Sequence, residues 1–179
     1  MPETDNVRGP EHAHARPSEI QYLLDRAAIQ ELLTRYFQGL DRSSPEQVRS
    51  CFTEDIRARY DQRTPTQGIE ALIDSLQNFN KLRDGRMRIT THFMGNFSLS
   101  LLQGDVAETE TNAIAFLVEP EQGVDRVAMR SLRYLDRMRR QKEGWRISDR
   151  IHTLDWSCQL PADFAATLAQ RVSVLPARS

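Results

Sequence analysis

The stretch "RMRITTHFMGNFSLSLLQGDVAETETNAIAFLVE", residues 86–119, decides the fold. Apolar and polar residues alternate with a period of two on both sides of a turn at Gly104–Asp105, which is typical of two antiparallel strands joined by a hairpin. Two more strands are predicted at 125–140 and 145–156, with a turn at 142–144 between them. Four long strands joined by short turns predict an antiparallel meander.

The segments that precede the meander have the three- and four-residue apolar spacing of amphipathic helices. A first helix is predicted at 18–40 and a third at 68–80, and between them a second begins at Ser44, with Pro45 in the first helical position and Gln47 completing a capping box. Helices followed by a hairpin-connected sheet indicate an α+β fold. We expect one curved antiparallel sheet wrapped against about three N-terminal helices as a cone with an apolar interior, whose mouth is the default site for a small ligand.

Length and composition fit one globular domain. We expect residues 18–179 to form it, with a short C-terminal helix at 161–172 and a polar, disordered tail at 1–17. The net charge of −1 argues against a general nucleic-acid binder. No apolar run approaches the roughly 20 residues of a membrane span, and the start lacks the pattern of a signal peptide, so we expect a cytoplasmic protein.

The residues that most often bind metals are poorly placed for it. Cys51 and Cys158 have no metal-ligand spacing, and we expect both to be buried thiols. The one close histidine pair, His12 and His14, falls in the predicted tail. We therefore predict no metal site and no cofactor.

His92 is the candidate catalytic residue, because it places a titratable ring in a strand of Thr, Ile, Phe and Met. A neutral imidazole is a natural general base near pH 7. Asp41, at the end of the first helix, would fix its tautomer and stabilise the imidazolium. Two structural alternatives stay open: Asp41 as a turn or cap residue near Ser43 and Ser44, and His92 as a buried histidine satisfied by one hydrogen bond.

Two tyrosines complete the predicted catalytic set. Tyr36 on the first helix and Tyr60 at the end of a short strand can donate hydrogen bonds to a substrate oxygen, or serve as core aromatics with a solvated tip. Four further side chains are expected to contact the substrate: Phe37, Met94, Asn112 and Phe116. For Asn112 this requires that its face of the strand be the concave one.

The last predicted strand offers another histidine. His152 alternates with Arg150 and Leu154, and we interpret it as a sheet-surface residue, since no partner is obvious in the sequence. Trp145 and Trp156 are expected to be core anchors.

From about residue 20 to 157 the chain resembles the SnoaL-like branch of the nuclear transport factor 2-like (cystatin-like) superfamily, and four strings carry this resemblance. They are "DRAAIQELLTRYFQGLD" (25–41), "CFTEDIRARY" (51–60), "THFMGN" (91–96) and "RYLDRMRRQKEGWRISDRIHTLDW" (133–156). The family includes polyketide cyclases, scytalone dehydratase, bile-acid dehydratases and a hexachlorocyclohexane dehydrochlorinase. In the last three, an Asp after the first helix and a His on a central strand act together inside the cone. The resemblance assigns these roles to Asp41 and His92, and the pocket tyrosines to Tyr36 and Tyr60.

The chain departs from these enzymes at two positions. Phe116 stands where scytalone dehydratase has a second catalytic histidine, and Ile114 is nearest to an acidic residue of some bile-acid dehydratases. The resemblance therefore implies the family without a substrate. It also implies a homo-oligomer, most simply a dimer that pairs through the outer face of the sheet.

The leading hypothesis is a cofactor-independent enzyme of the lyase or isomerase type, dehydratase-like. It would act on a small apolar substrate, polyketide-, steroid- or aromatic-like, by proton abstraction with His92 and Asp41. One alternative is a non-catalytic domain that binds a hydrophobic ligand or assembles with other proteins. Another is the small subunit of a ring-hydroxylating dioxygenase.

Overall fold

A computed structural model of the chain describes residues 19–160. The predicted tail at 1–17 and the predicted helix at 161–172 lie outside these residues. The helices are α1 (Glu19–Asp41), α2 (Pro45–Arg49), α3 (Ile69–Ser75) and α4 (Gln77–Arg83). The strands are β1 (Phe52–Tyr60), β2 (Thr66–Gln67), β3 (Ile89–Gln103), β4 (Val106–Glu121), β5 (Val124–Gln141) and β6 (Gly144–Leu160).

The helices follow the sequence pattern with two corrections. Ser44 caps α2 as predicted, with its hydroxyl accepting from the Gln47 N–H at 3.3 Å. The Gln47 side chain does not complete a capping box, because it donates to the carbonyl of Arg35 at 2.9 Å. The single helix predicted at 68–80 is two short helices, because Leu76 leaves the helical region with ψ of 82°.

The six strands form one sheet in the order β2-β1-β6-β5-β4-β3. β3 to β6 pair antiparallel as the predicted meander, whereas β1 lies parallel to β6 at its side. The turn between β4 and β5 has positive φ at both Gln122 and Gly123, which suits the right-handed twist of a hairpin. The predicted α+β fold, a sheet packed against N-terminal helices, is confirmed.

A bulge at Ser148 decides which side chains of β6 face the helices. Met138 pairs with Ile147 and Arg137 with Asp149, so Ser148 is an extra residue on β6. An extra residue shifts the alternation of a strand by one position. Trp145 is therefore buried before the bulge, as predicted, and His152 is buried after it, only 6% exposed. The prediction of a sheet-surface His152 is wrong for this reason.

A second bulge reverses the alternation again near the end of β6. Leu132 pairs with Leu154 and Ser131 with Trp156, which leaves Asp155 as the extra residue. Trp156 therefore points away from the helices and is 49% exposed, so its predicted role as a core anchor is wrong.

The core lies between α1 and the sheet face that the helices cover. Asp25 fixes the start of α1 to the sheet, because its carboxylate accepts from Arg140 at 2.7 Å and from the Trp145 indole at 3.2 Å. Cys51 is buried as predicted, but Cys158 is exposed near the end of β6. None of the helices in residues 19–160 is long and apolar enough to cross a membrane.

Candidate functional site

Asp41 and His92 meet where the end of α1 crosses β3. Asp41 Oδ1 lies 2.7 Å from His92 Nδ1, and Asp41 Oδ2 accepts the backbone N–H of His92 at 3.0 Å. Gly39 makes this helix end possible, because a Cβ there would lie 2.8 Å from the Val48 side chain of α2. The cap of α2 is Ser44, so the carboxylate of Asp41 is committed to β3.

This contact favours one tautomer of the His92 ring. A carboxylate only accepts hydrogen bonds, so the tautomer that fits has the proton on Nδ1, and this N–H donates a hydrogen bond to Asp41. Nε2 is then the ring nitrogen with a free lone pair. Phe37 stacks on the ring with centroids 5.7 Å apart and holds its orientation from the other side.

Tyr36 and Tyr60 also meet, although they come from α1 and β1. Their hydroxyl oxygens are 3.2 Å apart, so one phenol donates to the other and one O–H stays available. Complete burial raises the pKa of Tyr36 well above its usual value. Tyr36 is therefore a neutral hydrogen-bond donor near pH 7.

Tyr36, Tyr60 and His92 line one cavity of about 120 Å³ between the helices and the inner face of the sheet. Its wall includes Leu40, Leu117 and Leu132, but also the charged side chains Asp61, Lys81 and Arg130. The predicted apolar interior is therefore only partly right. A cavity of this size suits a compact, single-ring molecule, since an engineered cavity of about 150 Å³ in another protein binds benzene.

Asn112 and Phe116 lie on the wrong face of β4 to contact a molecule in this cavity. The buried residues of that strand alternate along its inner face, and they are Ala107, Thr109, Thr111, Ala113, Ala115 and Leu117. The last two line the cavity. The Phe116 ring instead packs edge-on against Phe93 on the outer face, with centroids 6.0 Å apart. The expectation that Asn112 and Phe116 line the pocket is corrected by this register.

Phe37 and Met94 lie on the inner side of the sheet but behind the cavity wall. Phe37 is buried against His92, Tyr36 and Tyr134. Met94 packs against the core cluster. Neither side chain belongs to the cavity wall that residues 19–160 form. The prediction that they contact the substrate is therefore corrected: they pack behind the residues that line the cavity.

A second histidine and carboxylate, His152 and Asp61, reach the same cavity. His152 Nδ1 lies 3.2 Å from Asp61 Oδ1 but without hydrogen-bond geometry, since Nδ1 is buried with no hydrogen-bond partner. Asp61 Oδ1 instead accepts the Leu154 N–H at 2.6 Å. Burial is the main cause that lowers the pKa of His152 to about 4, and the Arg150 and Arg130 cations act in the same direction while Asp61 opposes them. His152 is therefore neutral at pH 7.

A buried ion pair supports this wall of the cavity. Arg150 donates to both carboxylate oxygens of Asp136 at 2.7 Å, and both side chains are fully buried. The guanidinium carbon also lies 4.2 Å from the ring centre of Tyr36 and 4.7 Å from that of Tyr134. Sequence reasoning missed Arg150 and His152 as site residues, because the bulge that turns them inward has no signal in the alternation of apolar residues. Asp61 was missed because it lies in the turn after β1, outside any periodic pattern.

Groups that hold metals in proteins do not converge in the described part of the chain. No three His, Cys, Asp or Glu side chains within residues 19–160 are arranged to bind a metal ion.

The sequence and the fold both have known relatives. The profile of the SnoaL-like domain matches residues 21–151. An uncharacterised protein of Mycobacterium tuberculosis is 30% identical over 132 residues, which cover 72% of this chain and 84% of that protein.

Three solved structures show the same fold. A hexachlorocyclohexane dehydrochlorinase (LinA, type 2) superposes with a TM-score of 0.71 at 18% identity, covering 86% of this chain and 100% of that one. A protein of Novosphingobium aromaticivorans with a provisional scytalone dehydratase assignment gives 0.68 at 19% identity, covering 86% and 99%. A nuclear transport factor 2-like protein with a cystatin-like fold, also from N. aromaticivorans, gives 0.59 at 26% identity, covering 77% and 86%. The chain belongs to the SnoaL-like family and has the nuclear transport factor 2-like, cystatin-like fold that this family shares with dehydratases and a dehydrochlorinase.

Proposed function

We propose that this protein is a dehydratase-like lyase that starts its reaction by removing a proton from a carbon of a small cyclic substrate. The observation that carries the proposal is the Asp41–His92 contact at the wall of a cavity. A base, hydrogen-bond donors and a water-poor space are the three things that such an elimination needs.

His92 is the proposed general base. Asp41 holds Nδ1 protonated, so Nε2 takes the proton, and the positive charge that develops on the ring lies beside the carboxylate. Asp41 also accepts a hydrogen bond from the His92 backbone N–H, which fixes the position of the backbone that carries the ring. General-base catalysis of this kind contributes about 10²- to 10⁴-fold.

Tyr36 and Tyr60 are the proposed donors to the departing or developing oxygen. In a dehydration, the electron pair of the broken C–H bond forms the new C=C bond as the C–O bond breaks. The imidazolium of His92 then returns its proton to the departing hydroxyl, which leaves as water. A neutral phenol stabilises that oxygen by a hydrogen bond without having to ionise.

The test is a turnover screen of hydroxylated single-ring compounds with the wild type, His92→Gln and the matched control Ser98→Ala on the exposed part of β3. We expect His92→Gln to lose at least about 100-fold in kcat and Ser98→Ala to keep the wild-type rate. A compound that His92→Gln converts at the wild-type rate would overturn the mechanism. If the wild type binds a ring compound tightly but does not convert it, the result would instead favour a non-catalytic domain that binds a hydrophobic ligand.

We also propose that the protein pairs with a second copy through the outer face of the sheet, as family resemblance implies. In support, the large apolar side chains of Phe93, Leu135, Ile151 and Trp156 are exposed on this face of the sheet, where a second copy would cover them. Sedimentation should find a dimer for the wild type and for Val124→Glu, at the β4–β5 turn. Trp156→Glu should shift it toward the monomer, and a monomeric wild type would contradict the proposal.

A further inference from the structure

Arg130 is the exception among the arginines of β5. The other five arginines of this strand each have a carboxylate partner: Arg126 with Glu121, Arg133 with Glu110 and Asp155, Arg137 with Glu108, Arg139 with Asp55, and Arg140 with Asp25 and Asp105. The Arg130 guanidinium has no ion pair and no hydrogen bond to a group within residues 19–160, whereas the backbone of Arg130 pairs with Ala115 and Ser157 in the sheet. Its charge is therefore the unbalanced one.

The position of Arg130 places that charge beside the cavity. Arg130 is half-buried and lies on the cavity side of β5, two residues before Leu132 and four before Tyr134, which line the same space. A partly buried cation without a partner loses hydration that no protein group replaces. An anion in the cavity would restore that balance.

Two of the other charged groups of the cavity have partners among the described residues. Lys81 donates to Glu119 at 2.9 Å, and Asp61 accepts the Leu154 N–H. Arg63, at the exposed rim, adds a second positive charge rather than a negative one. The cavity wall thus has more positive than negative side chains, namely Arg63, Lys81 and Arg130 against Asp61.

We propose that Arg130 binds a carboxylate of the substrate, so that the substrate class is small hydroxy or oxo carboxylic acids rather than neutral apolar rings. A guanidinium fork fits a carboxylate with two parallel hydrogen bonds, which fixes the orientation of the bound molecule as well as its charge. This inference rests on the proposed function of the same cavity, but it concerns binding and can be tested without turnover.

Ligand binding would also change His152. The charged groups that act on its ring are Asp61, Arg150 and Arg130, and both arginines lower its pKa. A carboxylate on Arg130 would offset one of the two, so the pKa of His152 should rise on binding. The rings of Tyr60 and Tyr134 also contact it, and burial raises the pKa of Tyr134 well above its usual value.

The experiment is calorimetric titration of the full chain with two matched pairs of probes, benzoate against benzamide and isobutyrate against isobutyramide. We expect the wild type to prefer each carboxylate on the order of 10- to 100-fold, the worth of hydrogen bonds to a charged group. Arg130→Gln should abolish the preference. Arg133→Gln, three residues away on the outer face, should retain it, and thermal unfolding checks that both variants fold.

Equal binding of acid and amide, an undiminished preference in Arg130→Gln, or no binding of either carboxylate would overturn the inference. His92→Gln separates it from the proposed function. That variant should keep the carboxylate preference while losing turnover. If His92→Gln keeps the wild-type turnover and still prefers the acid, the proposed mechanism is wrong and the anion site is supported. If it loses turnover but binds acid and amide equally, the mechanism is supported and the anion site is wrong.

Discussion

The two histidines of the cavity wall, His92 and His152, each have an aspartate beside them, and the two pairs differ in what the carboxylate does. Asp41 accepts from both the ring and the backbone of His92, at 2.7 and 3.0 Å. Asp61 is similarly near His152, at 3.2 Å, but it accepts a backbone N–H of the neighbouring Leu154 instead. The proposal therefore assigns the general base to His92 and not to His152, because the hydrogen bond must hold a proton on the inner nitrogen and leave the outer one free.

The largest effect should come from removing one carboxylate at a time. Asp41→Asn lets the amide donate to Nδ1 and so favours the wrong tautomer of His92, and we expect kcat to fall by about 10²- to 10⁴-fold. Asp61→Asn keeps an acceptor for Leu154 and should cost less than about 10-fold. Steady-state kinetics on the substrate found by the screen would compare them, and equal losses would erase the distinction between the two pairs.

A large effect on stability is expected behind His152, at the ion pair of Asp136 and Arg150. Asp136→Asn leaves a fully buried guanidinium without its counter-charge, which should reduce the free energy of unfolding by about 3–5 kcal/mol. The control is Asp55→Asn, which breaks the exposed pair with Arg139 and should cost about 0–1 kcal/mol. Urea unfolding gives both values, and similar small losses would contradict the structural role of the buried pair.

The neutral state of His152 predicts a dependence of stability on pH. The folded pKa of about 4 lies below the ordinary 6.5, so between these values the unfolded chain binds a proton that the folded chain does not. The free energy of unfolding should therefore fall as the pH decreases from 6.5 towards 4, by at most about 3 kcal/mol for this group.

His152→Gln should remove that part of the slope in urea unfolding measured at pH 6.5 and at pH 4.5. The matched comparison is Asn78→Gln, another polar residue of the cavity wall, which should keep the wild-type slope. Equal slopes for His152→Gln and the wild type would show that the ring titrates normally.

The smallest expected effect concerns the tyrosine pair. Tyr36→Phe removes one of two linked donors, and since Tyr60 remains, we expect kcat to fall by no more than about 100-fold. Tyr22→Phe, on an exposed part of the same helix, should leave kcat unchanged. A Tyr36→Phe enzyme as active as the wild type would make these phenols core residues only.

The sequence pattern predicts well the features that depend on local order along one element. The helix end at Asp41, the strand that carries His92 and the four-stranded meander follow from periodicity and turn residues. The break at Leu76 does not follow from them. Nor do the bulges at Ser148 and Asp155, because one extra residue leaves the composition of the strand unchanged but moves every later side chain to the opposite face of the sheet. The predicted burial of His152 and Trp156 was wrong for this reason.

The face of β4 was unpredictable for a different reason. Both faces of this strand are apolar near the cavity, and the larger residues, Ile114 and Phe116, are on the outside. The inner face has the small Ala113 and Ala115, whose short side chains leave room beside His92. The size of these side chains predicts the wrong face as the inner one, since larger apolar residues are usually expected in the core.

The most direct test of the central claim is the tautomer of His92, read from ¹⁵N NMR of its ring nitrogens in the wild-type protein at pH 7. Our account predicts a protonated Nδ1 held by Asp41 and an unprotonated Nε2 that faces the cavity. A protonated Nε2 with a free Nδ1 would contradict it, because His92 could then not accept a proton from a bound substrate.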